Sequence, residues 1–66
     1  MEEIDIWRTA GTIISIWGDE ALWVASVRAD NFIEAGDVKA FFIWKRIITA
    51  IKTVQRASPP KGEKVN

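Results

Sequence analysis

The chain has 66 residues, with no cysteine, no histidine and a formal net charge of zero. That length allows one domain, and without cysteine neither a disulfide nor a thiolate metal site can hold it together. Without histidine it also lacks the commonest general base and metal ligand, and a serine triad is impossible. So small a domain is marginally stable unless tight packing or oligomerisation helps. Four tryptophans and three phenylalanines are expected to supply that help as buried area.

Charge is unevenly distributed. Residues 1–34 hold seven acids and two bases and residues 35–66 hold seven bases and two acids, so the halves carry −5 and +5. The simplest expectation is that acidic helices pack beside a basic one. The sharper one is a basic surface for nucleic acid or an acidic partner. The acidic start, MEEIDIW, is unlike the basic opening of a signal peptide. The longest uncharged run, Thr9 to Gly18, is well short of the ~20 residues that span a bilayer. These features predict a cytoplasmic chain with no membrane partner.

The first helix is expected at about 3–17, with Ile6, Ala10, Ile13 and Trp17 in one stripe widened by Trp7 and Ile14. Glu2, Glu3 and Asp5 suit the positive end of its dipole. Gly11 costs about 1 kcal/mol inside a helix, and its expected role is to let another helix approach closely. The β-branched run TIISIW allows a hairpin reading of IWRTAGTIISIW. The helical stripe fits better, and no two-residue primed turn is present.

Gly18 then suits a left-handed helix end and Asp19 the N-cap of a second helix, at about 19–35. Its stripe is Leu22, Ala25, Ala29, Phe32 and Ile33, and the alanines 21, 25 and 29 predict close packing. Trp23 and Val27 fall off the stripe, toward Asp30 and Glu34.

Gly36-Asp37 repeats the punctuation and opens a third helix at about 37–57, on which the others are organised. Ala40, Phe41, Trp44, Ile47, Ile48, Ile51 and Val54 form its stripe, with Lys45, Thr49, Lys52 and Arg56 opposite. Ser58-Pro59-Pro60 stops it. Residues 58–66, SPPKGEKVN, read as a disordered tail. The expected fold is therefore all-α, a small three-helix bundle in a single domain over residues 1–57.

Catalytic motifs are absent from this pattern. Neither GDVKAF nor GDEALW has the spacing of a phosphate loop. The pairs Asp19 with Glu20 and Asp30 with Glu34 offer fewer oxygens than a dedicated cation site needs, and read as a cap and a solvated face. Arg28 and Asp30 point to different sides of their helix and are each expected to reach a neighbour. A DNA-reading helix-turn-helix uses a shorter pair of helices. The sequence thus predicts no catalytic residue, no metal and no cofactor.

Several pieces taken together resemble a known family: Gly18-Asp19-Glu20-Ala21, Arg28-Ala29-Asp30, Gly36-Asp37, Trp44-Lys45-Arg46-Ile47, Ala50-Ile51 and the closing Gly62-Glu63-Lys64-Val65-Asn66. The pattern is similar to that of very short helical proteins of alphaproteobacteria, an uncharacterised family, and covers nearly the whole chain. The resemblance implies no activity and no catalytic residues. Members often carry His at the position of Trp17, and the departure speaks against a histidine-based function. A shared Gly-Glu-x-Val-Asn ending hints at a tail that binds something when ordered.

The functional expectation is a small non-catalytic protein-interaction or regulatory module. Three short helices cannot enclose every large apolar side chain, and Trp7, Trp23, Phe42 and Ile43 are the expected surplus. An uncovered apolar patch marks an interface, and a two-fold homodimer is the commonest cover; another protein is the other possible partner. The alternative is a nucleic-acid-binding protein using Lys45, Arg46, Lys52 and Arg56, against which the zero net charge counts.

Overall fold

The computed structural model describes residues 2–57, and the tail expected at 58–66 lies outside them. Helix α1 spans Glu3–Trp17, a 3-10 turn spans Gly18–Glu20, α2 spans Ala21–Glu34 and α3 spans Val38–Ala57. There is no strand among the described residues, so the hairpin reading of the first stretch falls away. The described residues are all-helical, as expected, but no loop separates the first two helices: the 3-10 turn at Gly18–Glu20 joins α1 directly to α2, so they are arms of one bent segment, and α3 is the second segment.

Two glycines make the two changes of direction. At the bend, Gly18 has φ 55 and ψ −122, which side-chain-bearing residues avoid. Its N–H donates to the Ile14 carbonyl and closes α1. Asp19 does not cap α2 as expected: α2 begins after Glu20, without a side-chain cap. At the second junction Gly36 has φ 83. There the Asp37 N–H donates to the Phe32 carbonyl at 2.9 Å and the Gly36 N–H to the Ile33 carbonyl at 3.1 Å. This paired closure satisfies the last carbonyls of α2. Asp37 then caps α3 as expected, its Oδ1 accepting from the Ala40 N–H at 3.1 Å.

Three side-chain contacts give the helix directions. Arg46 Nη2 reaches Glu3 Oε1 at 2.6 Å, and Gln55 Nε2 donates to the Gly18 carbonyl at 3.1 Å. The start and end of α1 therefore face successive positions of α3, and the two run in the same direction. The Arg28 guanidinium lies 5.9 Å from the centre of the Trp44 ring. With the Gly36 reversal, that sets α2 antiparallel to α3.

The core is made of isoleucine and alanine alone: Ile6, Ala10 and Ile13 from α1, Ala21, Ala25 and Ala29 from α2, and Ile47, Ile48, Ala50 and Ile51 from α3. The three α2 alanines recur every four residues and line one side of the helix. Small side chains there let α2 come close to α3, and their isoleucine partners each contribute about 1.5–3 kcal/mol on burial.

Close approach also explains the largest correction. None of the seven aromatic side chains is buried. Phe32, Phe41 and Trp44 are half-buried, and Trp17, expected inside, is exposed. A gap set by alanine has no room for an indole, so the rings lie along the helix flanks. The buried stripe of α2 accordingly runs through Ala21, while Leu22 and Phe32 are half-buried and Ile33 is exposed. The role expected of Gly11 is corrected as well. Gly11 is exposed, and a Cβ placed there would meet nothing within 4 Å, so no helix uses its missing side chain.

Candidate functional site

The sequence left Trp7, Trp23, Phe42 and Ile43 as its apolar surplus, and the structure distributes them over different faces. Trp23 is 67% exposed on the outer side of α2 and Phe42 is 60% exposed on α3. Trp7 is exposed on the flank of α1, where its indole N–H donates to Glu3 Oε2 at 3.3 Å. Ile43 is half-buried and packs against the core. Phe42 meets Phe41 edge-to-face, with ring centres 5.2 Å apart. The four thus do not form one patch.

Two surface depressions organise the exposed residues. The first, about 200 Å³, lies between α1 and α3 and is lined by Glu3, Trp7, Arg46, Thr49 and Thr53 over Ile6 and Ala50. Glu3 is its centre, one carboxylate oxygen taking the Trp7 indole and the other the Arg46 guanidinium. Both partners of this ion pair are more than half exposed, so it adds little stability. The second depression, about 330 Å³, runs along α2 and is lined by Trp17, Trp23, Val24, Val27, Arg28 and Asn31. Its walls are mostly apolar, with a guanidinium and a carboxamide as the polar exceptions.

The basic candidates fall on the solvent side of α3. Lys45, Lys52 and Arg56 are exposed, and their spacing of seven and four residues puts them on one line. Arg46 stands apart, tied to Glu3. Lys45 lies 5.9 Å from the centre of the Phe41 ring. Sequence reasoning missed Lys39, which is also exposed on α3; the absence of any acid from Val38 to Ala57 was the available signal. Of the expected contacts between acidic and basic helices, Glu3 with Arg46 is the only ion pair between helices among the described residues. Arg28 reaches its neighbour through a ring face, not a carboxylate.

No group of three or more acidic, histidine or cysteine side chains among the described residues is placed to hold a metal ion. No helix among them is long and apolar enough to cross a membrane. Comparison of the chain with protein-family models, curated proteins and solved structures finds no match.

Proposed function

We propose that the chain is a small, non-catalytic interaction module that recognises another protein surface with the apolar side chains it keeps outside. One observation carries the reading: the core uses isoleucine and alanine, while Ile4, Trp7, Ile16, Trp17, Trp23 and Phe42 are all exposed. A contiguous group of exposed apolar side chains marks an association surface; Trp17, Trp23 and Val27 share one depression, and tryptophan in particular anchors interfaces. That all three helical stretches supply the core supports regarding the unit as a three-helix bundle. Kinship with the short alphaproteobacterial family belongs to the same proposal, because that resemblance brings no activity with it.

The test is a pair of single substitutions, Trp23→Lys and Phe42→Lys, followed by thermal melting. A module that keeps these side chains for a partner retains its Tm in both variants. A fall of more than about 5 °C, roughly 1 kcal/mol in a domain this size, would show that the rings lie flat on their own fold and stabilise it.

A second reading rests on a different observation, the line of exposed Lys45, Lys52 and Arg56 on α3, a helix with no acid from Val38 to Ala57. Such a line suits a phosphate backbone. DNA and RNA fragments titrated at two salt concentrations test it. Binding that weakens with salt, and again on Lys45→Ala with Lys52→Ala, would favour nucleic acid over protein as the partner.

A further inference from the structure

We infer that the outer side of α2 docks a second copy of this chain, helix on helix and antiparallel, about a two-fold axis that passes at Val24. The inference rests on the interaction-module reading and names its partner.

The first ground is spacing. Glu20, at the N-cap of α2, and Val24, Val27 and Asn31 within it follow one another at steps of four, three and four. That is the seam of a helix pair, and it is distinct from the Ala21, Ala25 and Ala29 stripe already buried in the core. The second ground is shape. Trp17, Val24, Val27 and Asn31 line one open depression of about 330 Å³, with Trp23 and Arg28 at its sides. A ridge of side chains from another helix fits such a groove.

The third ground is charge, and it selects both partner and direction. Glu20 and Arg28 stand four residues to either side of Val24, about 6 Å along the axis in each direction. A two-fold antiparallel pair centred on Val24 brings Glu20 of each copy level with Arg28 of the other, twice, and the exposed Arg28 guanidinium, which in the single chain lies 5.9 Å from the centre of its own Trp44 ring, would turn from that ring to the carboxylate. A parallel pair would set Glu20 against Glu20 and Arg28 against Arg28. Trp23, one residue from the axis, lies on the same flank in both copies, so the two indoles meet across it and cover each other. A single contact between helices of 14 residues falls below the roughly 800 Å² per partner of a standard interface, so the dimer is expected to be weak and concentration-dependent.

The test combines mass with cross-linking. Sedimentation equilibrium from about 10 μM to 1 mM should show a rise toward twice the monomer mass. Glu20→Arg should raise the dissociation constant about tenfold, and Glu20→Arg combined with Arg28→Glu should restore it. The natural chain has no cysteine, so single cysteines report geometry cleanly. Under mild oxidation Val24→Cys should form a disulfide dimer and Glu20→Cys should not, because only the axial residue meets its own copy. Equal cross-linking at both positions, or a monomer mass throughout, would overturn the inference. If the chain stays monomeric while Trp23→Lys keeps its Tm, only the second copy is lost as partner and the interaction module stands. If that Tm falls, both readings fail.

Discussion

The same two residues, glycine then aspartate, stand at both changes of direction, and they build different structures. At Gly36-Asp37 the helix closes with two backbone hydrogen bonds and the aspartate caps the next helix. At Gly18-Asp19 the backbone stays helical on both sides, the aspartate caps nothing, and the carbonyl of the glycine is taken by Gln55 from α3. The dipeptide therefore says where the chain can turn, not how. The backbone angles differ, with ψ −122 at Gly18, and the partners that satisfy the exposed backbone groups are local in one case and distant in the other.

The comparison can be broken most forcefully at the bend. Gly18→Ala keeps open space for its new Cβ but forces a side chain into a conformation that only glycine adopts freely, for about 2–3 kcal/mol. Because helix already lies on either side, the cheapest escape is to straighten, which carries α1 away from α3. The expected result is a Tm lowered by more than 10 °C, with helical circular dichroism in the native baseline retained. Gly36→Ala meets the ordinary left-handed penalty of about 1–2 kcal/mol, with no comparable escape. Its melt should shift less and remain one sharp transition.

The aspartates sharpen the contrast. Asp37→Ala removes a hydrogen-bonded cap and should cost about 1 kcal/mol, whereas Asp19→Ala should leave urea unfolding unchanged within about 0.5 kcal/mol. Equal effects at the two positions would mean that the junctions are alike after all. The smallest effect is expected at a third glycine. Gly11, exposed inside α1 with nothing near its missing side chain, should gain about 0.5–1 kcal/mol on Gly11→Ala.

Much of this arrangement was legible in the sequence. The buried run Ile6, Ala10 and Ile13, the cap at Asp37 and the exposed positions of Trp23 and Phe42 all follow from 3.6-residue spacing and capping chemistry. The burial of the aromatic rings was misread. Periodicity says which side of a helix is apolar but not how close its neighbour comes, and Ala21, Ala25 and Ala29 draw the helices too near for Trp17 or Phe32 to fill the gap. The same close packing rotated the contact face of α2 and left Ile33 outside. Among the site residues, Lys39 stands six residues before Lys45, about 120° around α3 from the line of Lys45, Lys52 and Arg56, so the spacing of that line does not reveal it. The dispersal of Trp7, Trp23 and Phe42 over different faces depends on how the helices are arranged around each other, which no single stripe encodes.

The position of the indoles has a spectroscopic consequence. With no tryptophan in the core and only Trp44 half-covered, against α2 through Arg28, native emission is that of rings already in contact with water. Unfolding by denaturant should therefore change the emission maximum little, while circular dichroism records the full transition. Covering Trp17 and Trp23 should shift it to the blue. In this molecule tryptophan fluorescence is a gauge of company kept at the surface and a poor gauge of folding.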